Sequence, residues 1–300
     1  DEAIAPLEET MFRRPDMNGV VQQLAQCYFK TGKIAESIDL YARVVDHDPG
    51  SFTVRLAYGE ALMADRRFDS ATVQLKEAIR LQPLKADAYL ALTSALQELK
   101  RSDEALALSR ELTRLVPNDP MGWYNVGLLS LAAKQPDSSI RAFKRAIALR
   151  ANYAEAYFNI AFVYEERGFD EDAVSSLKRC ATISPLLAPD AYNSLAIMYR
   201  KSGRFEEAIS AHAQAISLRD SSGVLHVSRL NTYYDAQRCT AAKELLETEL
   251  SRFPDRPDVL YAAARCLLRN GDLERANAIA NKLDVLDPVL AEQLRHLMKI

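Results

Sequence analysis

The sequence predicts an all-α solenoid, a chain of helix–turn–helix units each stacked on the next. Three observations predict it. Prolines recur every 34 residues at Pro15, Pro49, Pro83 and Pro117, with Pro185 two periods further on and Pro254 and Pro288 displaced by one residue. A turn residue, often glycine, stands 17 residues before the proline step, at Gly32, Gly168, Gly203 and Gly271. Five residues after that turn comes a small side chain: Ser37, Ala71, Ala105, Ser139, Ala173, Ala208, Ala242 and Ala276. Self-similarity at a fixed period of this size is the mark of a repeat architecture.

Each element has a physical reason. Proline lacks an N–H and stops a helix. Glycine tolerates the left-handed backbone that closes a helix C-terminus. Small residues let two helices approach closely. Early in each unit a large residue recurs, as in Tyr89, Trp123, Tyr157 and Tyr192. Composition agrees with helix: 48% of residues are apolar and only 10 are glycine, which leaves ample material for a core and few weak helix formers.

The segment Trp123-Tyr124-Asn125-Val126-Gly127 with Phe143 and Ala146 resembles the tetratricopeptide repeat signature, as does Tyr157–Ala161 with Tyr164, Gly168 and Ala173. The resemblance covers essentially the whole of 1–300 as a single solenoid. It frames eight repeats: 18–51, 52–85, 86–119, 120–153, 154–187, 189–222, 223–256 and 257–290. Residue 188 is an insertion. Residues 1–17 fit the second helix of a preceding half repeat, with Ala3 at its small position and Pro15 at its stop. Residues 291–300 fit the start of one more helix. The family implies a right-handed superhelix with a concave groove. Repeat 223–256 is the least regular, with Arg229 at a normally apolar position, Glu249 at a normally small one, and irregularity expected around Asp220–Gly223. A one-residue shift of its first helix would bury Leu230.

Within each repeat, positions 4, 7, 8 and 11 of the first helix, helix A, share one face at 100° per residue and carry the signature, so they pack inward. The opposite stripe, which the resemblance places along the groove, should be polar. Early repeats present Gln22, Gln23, Gln26, Leu56, Glu60, Asp87, Leu90 and Ser94 there. Repeats four to six present Tyr124, Asn125 and Leu128, then Phe158, Asn159 and Phe162, then Asn193 and Ile197. An apolar patch with a polar rim marks an interaction site, and asparagine both donates and accepts, which suits a peptide backbone. These eight residues are the candidate partner-binding set, for an extended or helical apolar segment. The same side chains would serve if they pack between adjacent A helices or lie under a second copy of the chain. A carboxylate clamp of the kind some family members use needs Lys and Arg on this stripe. Met121 and Glu155 stand at position 2, where that clamp's lysine would be. The asparagine pair Asn125 and Asn159 only briefly echoes the ladder of a sugar transferase's repeat arm.

Other functions are disfavoured. The formal net charge is −3, so no basic excess exists for a phosphate backbone and nucleic acid is not expected. The basic set Arg141, Lys144, Arg145 and Arg150 reads as a solvated outer face. No apolar run reaches the length of a membrane span. The four histidines, His47, His212, His226 and His296, form no metal pair, and no phosphate loop or nucleophile elbow occurs. No enzyme activity and no cofactor are expected. His212 stands where other repeats place Phe143 or Leu177 and reads as a packing residue. Glu165-Glu166 and Glu206-Glu207 read as solvated pairs. Cys27, Cys180, Cys239 and Cys266 lack a C-x-x-C spacing and read as reduced, partly buried thiols, with a disulfide as the lesser alternative. The chain opens at Asp1 without methionine, which fits a trimmed or mature product. A soluble, cytoplasmic scaffold is the favoured reading, with a regulatory or recruiting arm of a larger enzyme or assembly and a self-assembling subunit as alternatives.

Overall fold

The computed structural model describes residues 3–14, 17–219 and 223–299. It is 80% helical, with eighteen helices and no strand among the described residues. It forms two compact units, Asp1–Ala151 and Asn152–Ile300. The first holds α1 (Ile4–Arg13), α2 (Asn18–Lys30), α3 (Ile34–His47), α4 (Phe52–Ala64), α5 (Phe68–Leu81), α6 (Ala86–Glu98), α7 (Ser102–Leu115), α8 (Pro120–Ala132) and α9 (Pro136–Leu149). The second holds α10 (Ala154–Glu166), α11 (Asp170–Ile183), α12 (Ala188–Lys201), α13 (Phe205–Leu218), α14 (Gly223–Asp235), α15 (Lys243–Arg252), α16 (Pro257–Arg269), α17 (Leu273–Leu286) and α18 (Pro288–Met298). Inside each unit, packing is mainly between helices adjacent in sequence, as expected of a solenoid.

The small positions explain how the two helices of a repeat meet. Ser37, Ala71, Ala105, Ser139, Ala173, Ala208, Ala242 and Ala276 are all 0% exposed. The two serines also donate across the contact, Ser37 Oγ to Ala25 O and Ser139 Oγ to Gly127 O, both at 2.8 Å. Ala3 departs from this pattern: it caps α1 and is exposed. The inward stripe is buried as its periodicity requires, for example Leu24, Leu62, Leu92, Ile160 and Leu195.

Every turn from helix A to helix B, the second helix of a repeat, carries one left-handed residue. Gly32, Gly168, Gly203 and Gly271 have φ of 73° to 81°, and Arg66, Lys100, Lys134 and Gln237 take the same place with φ of 55° to 61°. The prolines act at both helix ends. Pro49, Pro83, Pro117, Pro185 and Pro254 follow the last helical residue by two, while Pro120, Pro136, Pro257 and Pro288 open helices. The final helix therefore starts at Pro288, not 291, with Asp287 Oδ1 accepting from the Val289 and Leu290 amides at 3.1 Å. The inserted residue 188 is absorbed as the first residue of α12. Pro15 and residues 220–222 lie outside the described residues, and Gly223 opens α14.

Two expectations change in the second unit. Cys239 and Cys266 are joined as a disulfide across 27 residues, with Cα atoms 5.1 Å apart, so the four cysteines are not all free thiols. Spacing could not reveal this, because the pair forms between neighbouring repeats. Cys180 remains a buried thiol, pushed up to about 11 by burial. In repeat 223–256 no frame shift occurs. Leu230 is 0% exposed in its original register. Arg229 and Glu249 instead pair with each other, Nη2 to Oε1 at 2.5 Å, while His226 Nδ1 lies 2.6 Å from Glu249 Oε2.

Candidate functional site

The eight predicted residues fall on helices A of two units. In the first unit Tyr124, Asn125 and Leu128 of α8 are half-buried. Tyr124 leans on the buried Phe143 ring with centroids 5.7 Å apart, so part of its surface is spent on packing. Asn125 lines a cavity of about 580 Å³ whose wall is the outward stripe of α4, α6 and α8. Leu56, Met63, Leu90 and Met121 make it apolar, and Glu60 and Asp87 make it acidic. Desolvation and then the Asp87 carboxylate raise the Glu60 pKa. Of the eight predicted residues, this cavity includes Asn125 alone. Its other residues, Met121 of α8 apart, belong to the stripes of earlier repeats, and Met63 signals nothing without knowledge of how neighbouring helices lie.

In the second unit Phe158, Asn159, Asn193 and Ile197 are half-buried and Phe162 is 42% exposed. Phe158 and Phe162, one turn apart on α10, meet edge to face with centroids at 5.0 Å. Asn159 Nδ2 donates to the Glu155 carbonyl at 3.0 Å. On α12, Asn193 Oδ1 is buried and has no hydrogen-bond partner among the described residues. A lone acceptor in that state is costly unless a ligand donor completes it. The rim is charged: Lys201 Nζ reaches Glu165 Oε1 at 2.6 Å.

No group of three potential metal ligands occurs among the described residues. A second-unit cavity of about 370 Å³ is walled by Glu165, Glu171, Lys201 and Arg204, whose charges are spent on ion pairs with one another. Glu206 and Glu207 pair with Arg238 and Arg204. His212 is fully buried, as a packing residue should be, with Nε2 3.1 Å from Thr232 Oγ1. Burial, then Arg200 and Arg229, lower its pKa to about 4. Among the described residues, no helix is long and apolar enough to cross a membrane.

Two family models described as tetratricopeptide repeat match the chain, one at residues 23–75, 56–120 and 229–290 and the other at 191–223. Anaphase-promoting complex subunit 6 of Arabidopsis thaliana is 25% identical over 187 residues, which cover 59% of this chain and 34% of that protein. The BBSome complex member BBS4 homolog of Drosophila melanogaster is 23% identical over 184 residues, covering 61% and 38%. The chain thus spans little more than a third of the length of these relatives. The solved structure of YrrB, described as a TPR protein with an unusual peptide-binding site, superposes with a TM-score of 0.51 at 17% identity, covering 62% of this chain and 95% of YrrB.

Proposed function

Because the chain belongs to the tetratricopeptide repeat family, we propose that it is a non-catalytic scaffold or adaptor that holds a peptide segment of a partner protein against its helix-A stripe. The family's fold is generally a protein-binding scaffold and not a catalyst. Each unit contributes its own stretch. Asn125 and the acidic, apolar wall around it serve in the first; Phe158, Asn159, Phe162, Asn193 and Ile197 serve in the second.

The observation that carries this reading is the Phe158–Phe162 pair. Two aromatic rings packed edge to face, one of them 42% exposed, offer a rigid apolar anchor. The unsatisfied Asn193 Oδ1 supplies an acceptor for a peptide N–H. YrrB provides a precedent for peptide binding on this fold.

The test is affinity capture with the double variant Phe158→Ala/Phe162→Ala as control, and a photo-crosslinker at position 162 to locate the contact. The variant should lose the crosslinked partner while its helicity and melting stay close to wild type. If it unfolds, the rings are core and the stripe is not a site. A second reading, that the chain is a building block of a multi-subunit assembly, is favoured by the two relatives named as complex members. Capture of several subunits in fixed proportion would support it. Self-assembly is tested by mass in solution, since a strict monomer excludes it.

A further inference from the structure

On the helix-B side of the first unit, α7 and α9 border a cavity of about 570 Å³. Its floor is apolar, made by Trp123, Val126 and Ala142, and its rim carries Arg110, Arg114 and Arg141. The exposed Arg145 extends the same face of α9 by one turn. We propose that this is a second binding site, for an acidic peptide segment that carries one bulky apolar side chain.

Three observations lead there. First, the arginines are held in reserve. Elsewhere helix-surface arginines are neutralised by near neighbours, as in Arg80–Glu77, Arg101–Glu104 and Arg204–Glu207. Among the described residues no ion pair engages Arg110, Arg114, Arg141 or Arg145. Arg110 donates only to the neutral Gln135 amide at 2.9 Å, and Arg141 to Ser138 Oγ at 3.1 Å. Arg110 and Arg114 also sit at i,i+4, where like charges repel and folding gains nothing. Second, the nearby acids do not cancel them. Asp119 is committed to the α8 amides of Met121 and Gly122, Asp137 has a partner of its own, and among the described residues Glu111 forms no ion pair with Arg110 or Arg114. Third, Trp123 is fixed. Its indole N–H donates to Pro117 O at 2.9 Å, so its polar edge is satisfied and its apolar surface is available to a ligand.

The spacing selects the ligand. Arg110 and Arg114 lie about 6 Å apart along α7, and Arg141 approaches from the other helix. The charges are spread along a trough and do not converge on a point. That suits successive carboxylates on a chain, each able to take a guanidinium in bidentate fashion, better than a single phosphate. The net charge of −3 argues against an extended polyanion, which needs a broad basic surface. The site is independent of the helix-A stripe.

Trp123 is the only tryptophan of the chain, so intrinsic fluorescence reads this cavity directly. The probe is a short tryptophan-free peptide of Asp and Glu around one Phe, titrated into the full chain. A saturable shift in emission is expected, weakened by raising ionic strength. Arg114→Glu/Arg141→Glu should weaken binding at least about tenfold with unchanged helicity, and the Gln/Asn version of the peptide should fail to bind. Phe158→Ala/Phe162→Ala should leave this titration unchanged, which separates the two sites. The proposal is overturned by an absent or non-saturable shift, by charge reversal without effect, or by tighter binding of a single-stranded oligonucleotide or of phosphatidylserine vesicles.

Discussion

The repeat made by α8 and α9 and the one made by α14 and α15 solve the same packing problem with different materials. In the first, Gly127 lies so close to Phe143 that an added Cβ would stand 2.5 Å from the ring. In the second, the equivalent pair is Leu230 and Leu246, both buried. Bulk has moved from one helix toward the other: a large ring against bare backbone is replaced by two mid-sized aliphatic side chains, each fully buried. The inner positions Trp123, Val126 and Ala146 correspond to His226, Arg229 and Glu249. An apolar seam has become a buried ion cluster capped by Phe253, whose ring centroid is 4.9 Å from that of His226. The repeat frame therefore constrains which positions pair and are buried more tightly than it constrains their polarity.

The largest test breaks the cluster. Glu249→Ala strands the buried end of Arg229 without its counter-charge, removes the carboxylate beside His226, and should cost about 3–5 kcal/mol in chemical denaturation. Replacing all three with the α8–α9 residues, His226→Trp, Arg229→Val and Glu249→Ala together, should be neutral or stabilising by about 1–4 kcal/mol. A single Glu249→Ala that costs under about 1 kcal/mol would mean the cluster is incidental.

The next test uses acid. His212 occupies the position of Phe143 in its own repeat, and its folded pKa of about 4 is below the ordinary 6.5. The folded state thus prefers the neutral ring. The associated stability is fully present above pH 6.5 and is lost as pH falls through about 4, up to about 3 kcal/mol in all. His212→Leu should flatten that part of the pH–stability curve. Hydrogen exchange should place the acid loss in the second unit, and a uniform loss over both units would contradict it.

The smallest test asks where the two repeats do not differ. Lys134 and Gln237 hold the same left-handed turn, at φ 55° and 58°. Lys134→Gly and Gln237→Gly should each raise stability by up to about 1 kcal/mol and by similar amounts. Unequal gains in melting temperature would show that the irregular repeat is irregular in its turn as well as in its core.

Much of this architecture is legible in the chain itself. The prolines, the turn residues and the small positions each act within a few residues of their own location, so their period marks the helices directly. The ion cluster is not legible that way. Arg229 and Glu249 are 20 residues apart, and each alone looks like a misfit in its frame. The same holds for Cys239 and Cys266, and for the cavity around Asn125, whose wall is drawn from three repeats. On the outward stripe, periodicity identifies the direction of Phe158 and Phe162 but not their exposure, which depends on how closely adjacent helices crowd them.

The dependence of each helix pair on its immediate neighbours has a consequence for heredity. Since the close contacts are renewed every repeat, a duplicated or deleted stretch of 34 codons would leave each junction facing a surface much like the one it lost. Chain length is then free to drift in whole steps. The Cys239–Cys266 link, which ties two particular repeats to each other, marks where such a step would be felt and where lineages should keep their count.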